Sequence, residues 1–398
     1  MRISTAHAYE ASIDSLMQRQ RDLSEAQLQL TSGKRVNRAS DDPAAAARAE
    51  RALARSALSE ASQRAAESSR SMMNLTEGAL GEAGELMQQV REAMVASGNA
   101  SYGDSERFSL AQKIEGLREQ LLSLANRSDG AGGYLFGGQG SSQPPFVDAP
   151  GGVQFRGTSG QVVTAGEDML PLSADGRAAW LSARTGNGVF ETRSITSAGS
   201  AWIDGGQVTQ PTALTGSSYS VQFSVSAGVT SYSVLRDGAA TAQSNLPFTS
   251  GKAIEIDGLA VTIKGAPAAG DEFQMVPAAP GLSVFDVLDR SVAALKTPLR
   301  GGAQIAQSNA FDLRDIDASL GQLLSARALA GDALNRIDGV SSRHDTLKLQ
   351  ASVDRSNAED LDMVHAISSF QNKQTGYDAA LKSYSMVQRL SLFQYLNP

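Results

Sequence analysis

Cysteine is absent from the 398 residues, which excludes disulfides, thiolate nucleophiles and sulfur-ligated metal sites and leaves the chain indifferent to the redox state of its compartment. Histidine is scarce: His7, His344 and His365 are the 3 in the chain, too scattered for a ligand set, and no His-Glu-x-x-His occurs. Positive charge is in deficit, with Lys plus Arg at 35 against Asp plus Glu at 42 and a net charge of -7. That argues against a nucleic-acid or anionic-membrane binder, because phosphate binding needs concentrated positive charge. There is no apolar run of about 18 residues to span a membrane, and Met1-Arg-Ile-Ser-Thr-Ala-His7 lacks the apolar core of a secretory signal. If the protein leaves the cell, it is expected to do so by another route. Phosphate-loop and Gly-x-Ser-x-Gly motifs are missing as well; the glycine-rich run Gly132 to Gly140 has a turn's spacing. Asp271 and Glu272 point to opposite faces if they lie on a strand, so they read as loop carboxylates in solvent. No catalytic, cofactor-binding or metal-ligating residue is assigned, and no cofactor is expected.

Proline is withheld from two long stretches, Ala44 to Gln143 and Leu299 to Asn397, and in both of them apolar residues recur at helical spacing. Between Phe311 and Leu396 the rows Leu313, Ile316, Leu320, Leu323, then Ala330, Leu334, Ile337, then Ile367, Phe370, Tyr377, Leu381, Tyr384 predict one or two very long amphipathic helices. At about 1.5 Å per residue that length exceeds what a compact domain wraps, so the apolar face requires a second long helix. The opposite end of the chain supplies one. Tyr9, Leu16, Leu23 and Leu30 stand at sevenfold spacing in a first helix, with Ile13, Gln20 and Gln27 between them. So thin and half-polar a stripe predicts a helix that orders only within a larger assembly. Gly33 suits a left-handed C-terminal cap, followed by Lys34 and Arg35 where positive charge complements the helix end. Asp42 then reads as the cap, and Pro43 as the first turn, of a helix running to about Ser97, straight or bent near Gly78, Gly81 and Gly84. Asp104 reads as the cap of a third helix with the stripe Leu110, Ile114, Leu117, Leu121, Leu124.

Between these stretches the pattern changes to short alternating runs bounded by Gly, Pro, Ser and Asp. They predict strands at Val153 to Arg156, Ser220 to Val225, Tyr232 to Leu235, Ala253 to Ile256, Leu259 to Ile263 and Glu272 to Val276, with hairpin signals at Asp237-Gly238 and Asp257-Gly258. The helical pattern resumes at Ser283. The fold class is therefore α+β: a long antiparallel helical rod or coiled coil formed by both termini, with an inserted β-rich central domain. The expected boundaries are 1–42, an N-terminal assembly helix paired with 356–398; 43–137, a helical segment paired with 282–355; and 138–281, the insert.

Three motifs carry a resemblance. Arg2-Ile-Ser-Thr, Leu30-Thr-Ser-Gly-Lys-Arg-Val-Asn-Arg-Ala-Ser-Asp-Asp-Pro43 and Gly133-Tyr-Leu-Phe-Gly-Gly138 together resemble the flagellin superfamily. The first of them, and Pro43 after the Asp pair, are closer to the hook-associated junction proteins than to flagellin itself. Gly258 to Phe273 resembles a segment of hook-associated and related axial proteins. Leu390 to Leu396 is similar in character to the flagellin ending but departs in detail, and Ala39 stands where the junction pattern has proline. The resemblance covers both helical ends and leaves most of the insert unmatched.

The resemblance implies a structural subunit of the bacterial flagellum, not an enzyme, exported unfolded without a cleaved signal to an extracellular position. It further implies hook-associated protein 1 on its hook side, flagellin on its filament side, self-association in a ring, and an export chaperone on the C-terminal helix in the cytoplasm. Two alternatives stay open: flagellin itself, which would form long polymers alone, and an adhesin on a helical stalk, which would bind a ligand through 138–281. Under the first reading the assembly interface is placed on Ile13, Leu16, Leu23 and Leu30, and on Ile367, Phe370, Tyr377, Leu381, Tyr384 and Leu392. Lys34, Arg35 and Arg38 beside Asp41 and Asp42 have two readings, turn electrostatics and ion pairs between subunits.

Overall fold

The computed structural model describes the backbone of residues 5–396 and the side chains of residues 10–386. Arg2, Ile3 and Ser4 lie outside the described residues, as do the side chains of His7, Tyr9, Leu392 and the rest of the Leu390 to Leu396 ending. In chain order the helices are α1 (Thr5–Ser32), α2 (Pro43–Ser97), α3 (Asp104–Ala125), α4 (Gly176–Trp180), α5 (Val284–Lys296), α6 (Gly302–Glu359) and α7 (Met363–Leu396). All of the strands among the described residues fall between α3 and α5, and the last, Pro280–Leu282, runs directly up to α5.

The local chemistry explains most of these limits. Gly33 adopts φ +69° and donates its N–H to Gln29 O at 2.9 Å, the left-handed ending that glycine makes without steric cost. The Asp42 carboxylate accepts from Ala45 N at 3.0 Å and opens α2, which continues without interruption through Gly78, Gly81 and Gly84. α3 differs from expectation. Gly103 occupies its N-cap and Glu106 reaches back to accept from Gly103 N at 2.9 Å, while the Asp104 carboxylate instead accepts from Leu299 N at 3.1 Å. The long C-terminal helix is two helices: Asp362 accepts from Val364 N and His365 N and so caps a new start after Glu359.

The contacts group the chain into two compact units, residues 65–339 and residues 1–64 together with 340–398. The first holds two cores. One is helical and aromatic, drawing on Met87, Val90, Ile114, Leu121, Leu288, Ile316 and Leu323. At its end Trp180 stacks on Phe285 (5.8 Å, 13°) and meets the edges of Phe136 and Phe146. This gives the Gly133-Tyr-Leu-Phe-Gly-Gly138 motif its reason: Leu135 and Phe136 are fully buried, and Gly138, at φ +68°, lies so close to Thr158 O that a Cβ would collide with it. The second core lies within the β-region. Strands 246–247, 229–236, 219–226, 272–277 and 190–196 form an antiparallel sheet in that order, and a smaller sheet pairs Ala253–Ile256 with Leu259–Lys264. Alternate residues Tyr219, Val221 and Phe223, and Phe273 and Met275, are buried with Ile254, Val261 and Ile263. Asp237-Gly238 and Asp257-Gly258 both have positive φ at each residue, as a two-residue primed hairpin turn requires.

Two elements depart from the sequence reading. Phe190–Thr196 is a strand that the alternation did not mark, since its second inward position is Thr192. Asp271 is fully buried, not solvated: its carboxylate accepts from Ala198 N, Gly199 N and Ala268 N at 2.7–3.2 Å and so closes the loop around it. Arg314, braced by Asp315 beside it on α6, ties that helix to the sheet through Thr192 O and Oγ1, and Gln307 exchanges two hydrogen bonds with the Ile203 backbone.

Beside this junction Asp312 is 2% exposed and pairs with Arg290 at 3.2 Å. Burial outweighs that pairing and pushes its carboxyl up to about 6. A raised carboxyl pKa means that the native state binds a proton the unfolded chain has already released. This group therefore adds stability as pH falls, by roughly 1.4 kcal/mol between pH 7 and 5 and by about 3 kcal/mol in all once pH is below the unfolded value. Urea titrations at pH 5 and 7 are expected to show that gain in the native chain, and Asp312→Asn to flatten it; an unchanged slope in the variant would remove Asp312 as its source.

Candidate assembly surface

The unit containing both chain ends is built from antiparallel helices. Arg19 of α1 lies against Gly376 of α7, and Lys373 donates to Asp22 O at 3.5 Å; partner numbers fall on α7 as they rise on α1. Ile13, Leu16, Leu23 and Leu30 are half-buried along this seam and Ala26 is buried. On α7 the half-buried row is Phe370, Tyr377 and Tyr384, at sevenfold spacing. Ile367 and Leu381 are not on it. They stand at its edge, 47% and 39% exposed, and continue outward into Met363, Val364 (82% exposed) and Met386, with Met17 and Leu28 exposed on α1. The ten residues predicted as one interface thus divide: seven lie in the seam between the chain's own ends, two face outward, and the side chain of Leu392 is outside the described residues.

The rest of this unit is held by small side chains. The buried positions of α2 here are Ala45, Ala49, Ala52 and Ser59, and on α6 Val340, His344, Ala351 and Ala358. Burying an alanine removes little apolar area at about 25 cal/mol per Å², so packing alone holds these helices weakly. Leu53, Leu58, Leu347, Leu349 and Val353 point outward, leaving the larger apolar groups unused within the chain. Cross-helix polar contacts fix the register instead: Lys348 pairs with Glu60 at 3.0 Å, and Gln63 donates to Asp345.

Between α1 and α2, and again between α6 and α7, the helices break at the same level, and the two breaks are bound to each other. Lys34 bridges Asp360; Arg35 N donates to Glu359 O at 2.7 Å and Leu361 N to Gly33 O at 3.1 Å. The Lys34 ammonium pairs with Glu359 at 2.6 Å, and Arg35 donates both to Ala358 O and to Asp42. Asp41 accepts from Asn37 N and Arg38 N. Within one chain Lys34, Arg35, Asp41 and Asp42 thus have turn and cap partners, with Glu359 added from 325 residues away, where sequence reading had no local signal to find it.

The hydrogen bond from Lys34, with Arg355 beside it, holds the Glu359 carboxyl below its usual range. A depressed carboxyl pKa contributes stability that is fully present above the unfolded value and is lost as pH falls through the folded one. Amide exchange at Arg35, Val36 and Leu361 is therefore expected to stay slow relative to its intrinsic rate from pH 8 to 5 and to accelerate below about pH 4. In Glu359→Gln the acceleration should be present throughout; equal protection in variant and native chain would show that the ion pair does not hold the breaks together.

The comparisons with known proteins agree with this architecture. A model of the bacterial flagellin N-terminal helical region matches residues 3–141, and one of the flagellar hook-associated protein 1 D2-like domain matches residues 193–277. Over 402 residues the chain is 26% identical to flagellar hook-associated protein 3 of Salmonella typhimurium, covering 99% of each. A crystal structure of a flagellar hook-associated protein 3 from Legionella pneumophila matches with a TM-score of 0.71 at 27% identity, over 76% of this chain and 97% of that one. Likeness to filament proteins is narrower: the 41 kDa flagellar filament core protein of Borreliella burgdorferi is 32% identical over 123 residues, 31% of this chain and 36% of that protein. By correspondence from end to end, the chain belongs to the flagellin superfamily and, within it, to the structural flagellar proteins of the hook-associated protein 3 group.

Proposed function

We infer that the chain is a structural subunit of the bacterial flagellum that forms the junction between hook and filament, on which flagellin polymerises. The observation that carries this is the span of the likeness: 99% of a hook-associated protein 3 against 36% of a filament core protein. A propagating filament subunit is expected to match flagellins through both ends instead. The terminal unit supports the same reading, since its α2 and α6 segments meet through mostly small residues and present larger apolar ones such as Leu58 and Leu349 outward.

In finer terms, the proposed neighbours are hook-associated protein 1 on the hook side and flagellin on the filament side, with copies of the chain side by side in a ring. An export chaperone is proposed to cover α7 in the cytoplasm before extracellular assembly without a cleaved signal. The segments 1–42 with 356–398, 43–137 with 282–355, and 138–281 are proposed as the assembly helices, the helical pair and the insert. Electron microscopy of cells lacking the gene, with flagellin assayed in the medium, tests the reading. Hooks without filaments and unpolymerised flagellin outside the cell are expected. Shortened filaments without that leak would make the chain a filament subunit, and ordinary filaments would exclude both.

A further inference from the structure

We propose that the groove flanked by Arg48, Arg51 and Arg55 docks a second copy of this chain, which enters it with the acidic concavity around Glu119, Asp148 and Asp286. The proposal rests on the reading of the chain as a self-associating axial subunit and names the contact that such association would use. Arg48, Arg51 and Arg55 stand at i, i+3 and i+7 on α2 and so share one helix face. Across from them lie Asp354 and Asn357 of α6, over a floor of Ala52 and Ala358, enclosing about 400 Å³.

The groove gathers three arginines without a carboxylate partner on one helix face, whereas several arginines elsewhere on these helices are matched, Arg70 with Asp338, Arg91 with Asp317, Arg127 with Glu82 and Arg327 with Glu77. Among the described residues none of the three groove arginines lies within ion-pair distance of a carboxylate; Arg51 only turns its Nε back to Ala47 O. Three like charges on one helix face repel by a few tenths of a kcal/mol per pair, a cost with no return inside the chain. Guanidinium groups form bidentate bonds with carboxylates, which points to an acidic protein surface as the occupant.

The chain carries such a surface. Glu115 and Glu119 of α3, Asp148, and Asp286 and Asp289 of α5 line a concavity of about 770 Å³. Arg118 on its floor is held by Asp148 and Asp289, and Lys296 at its rim by Glu115, so the carboxylates outnumber the cations. Burial, with a smaller contribution from Asp289, holds the Asp286 carboxyl above its usual range. Groove and concavity are different surfaces of the chain. Their contact between copies is therefore heterologous, the kind that extends into a ring or a helical row, whereas a self-complementary patch stops at a dimer.

The lack of native cysteine makes the test direct. Asn357→Cys places a thiol in the groove and Ala149→Cys one in the concavity, each leaving the charges in place. Cells lacking the native gene would express the two single-cysteine chains together, and their isolated flagella would be oxidised mildly. A disulfide-linked dimer is expected with the pair and not with either chain alone. Arg51→Glu in the first chain should lower its yield at least tenfold, and Glu119→Arg in the second should restore it. Full-length filaments without the dimer would overturn the docking while leaving the junction reading intact. Cross-linking of Asn357→Cys to a different flagellar protein would put another occupant in the groove and overturn it too, as would a dimer indifferent to Arg51→Glu. Failure of the junction reading shows separately, as ordinary filaments in the deletion strain.

Discussion

Cells whose only copy of this chain carries Leu381→Asp are expected to build hooks, release flagellin into the medium and fail to swim. The protein itself should accumulate with the helical circular dichroism of the native chain. Both halves of that outcome follow from where Leu381 sits. It is 39% exposed at the edge of the α1–α7 seam, so a carboxylate there reaches solvent in the free chain. In an assembly that covers the outer face of α7, the same carboxylate would be taken from water without a partner. Leu381 forgoes about 1.5–3 kcal/mol on full burial, and the buried charge adds more; repeated in every copy around a ring, the loss is all or none in effect. Val364→Asp, farther out on the same helix, should behave alike. Normal filaments in both variants would show that the outer face of α7 is not an assembly surface. Tyr377→Asp is different: it breaks the seam, and its effect on the free chain should be visible as lost helicity.

The second large effect lies in the unit of residues 65–339. Trp180→Ala is expected to destabilise it by about 3–5 kcal/mol, which at a urea m-value of about 3 kcal/mol/M lowers the unfolding midpoint by roughly 1–1.7 M. Trp180 is fully buried and joins four separate parts of the chain through its ring contacts: the glycine-flanked turn at Phe136, the strand at Phe146, its own short helix, and α5 at Phe285. Alanine reaches none of those rings, and a close-packed interior relaxes only partly around the void it leaves. Its indole N–H has no hydrogen-bond partner among the described residues, so Trp180→Phe should recover much of the loss. Urea unfolding followed by circular dichroism measures both. A midpoint for Trp180→Ala within a few tenths of a molar of the native value would mean that the aromatic cluster is not the keystone of this unit.

Much of this architecture was legible because a helix repeats. Rows such as Ile316, Leu323, Ala330 and Ile337 announce a buried seam at fixed spacing, and all four are buried. The cap was legible at Asp42, where the signal is a single residue acting on its neighbours, while at α3 the reading fell one residue past Gly103. The same reading failed where the deciding partner is distant. Leu381 falls within a turn of the row Phe370, Tyr377, Tyr384, and a spacing of three or four residues does not separate the centre of a stripe from its edge. Only α1, arriving from the other end of the chain, shows which side is covered. Asp271 looked like a solvated loop residue because its three donors, at Ala198, Gly199 and Ala268, are backbone groups that leave no mark in side-chain sequence. The division of the insert was partly hidden for a related reason: Thr192 fills an inward position where alternation looks for an apolar residue.

The paired breaks near Gly33 and Glu359 have a mechanical meaning. A continuous helix pair resists twisting along its whole length, because every turn is bonded to the next. At the breaks that continuity is replaced by a few cross-strand hydrogen bonds and the Lys34–Glu359 pair. A twist applied along these helices must cross this level through those few contacts. In the proposed junction, copies of the chain side by side would each carry such a joint at the same level of the helix pair, a place where bending and twist would be taken up by a few polar contacts rather than by continuous helix.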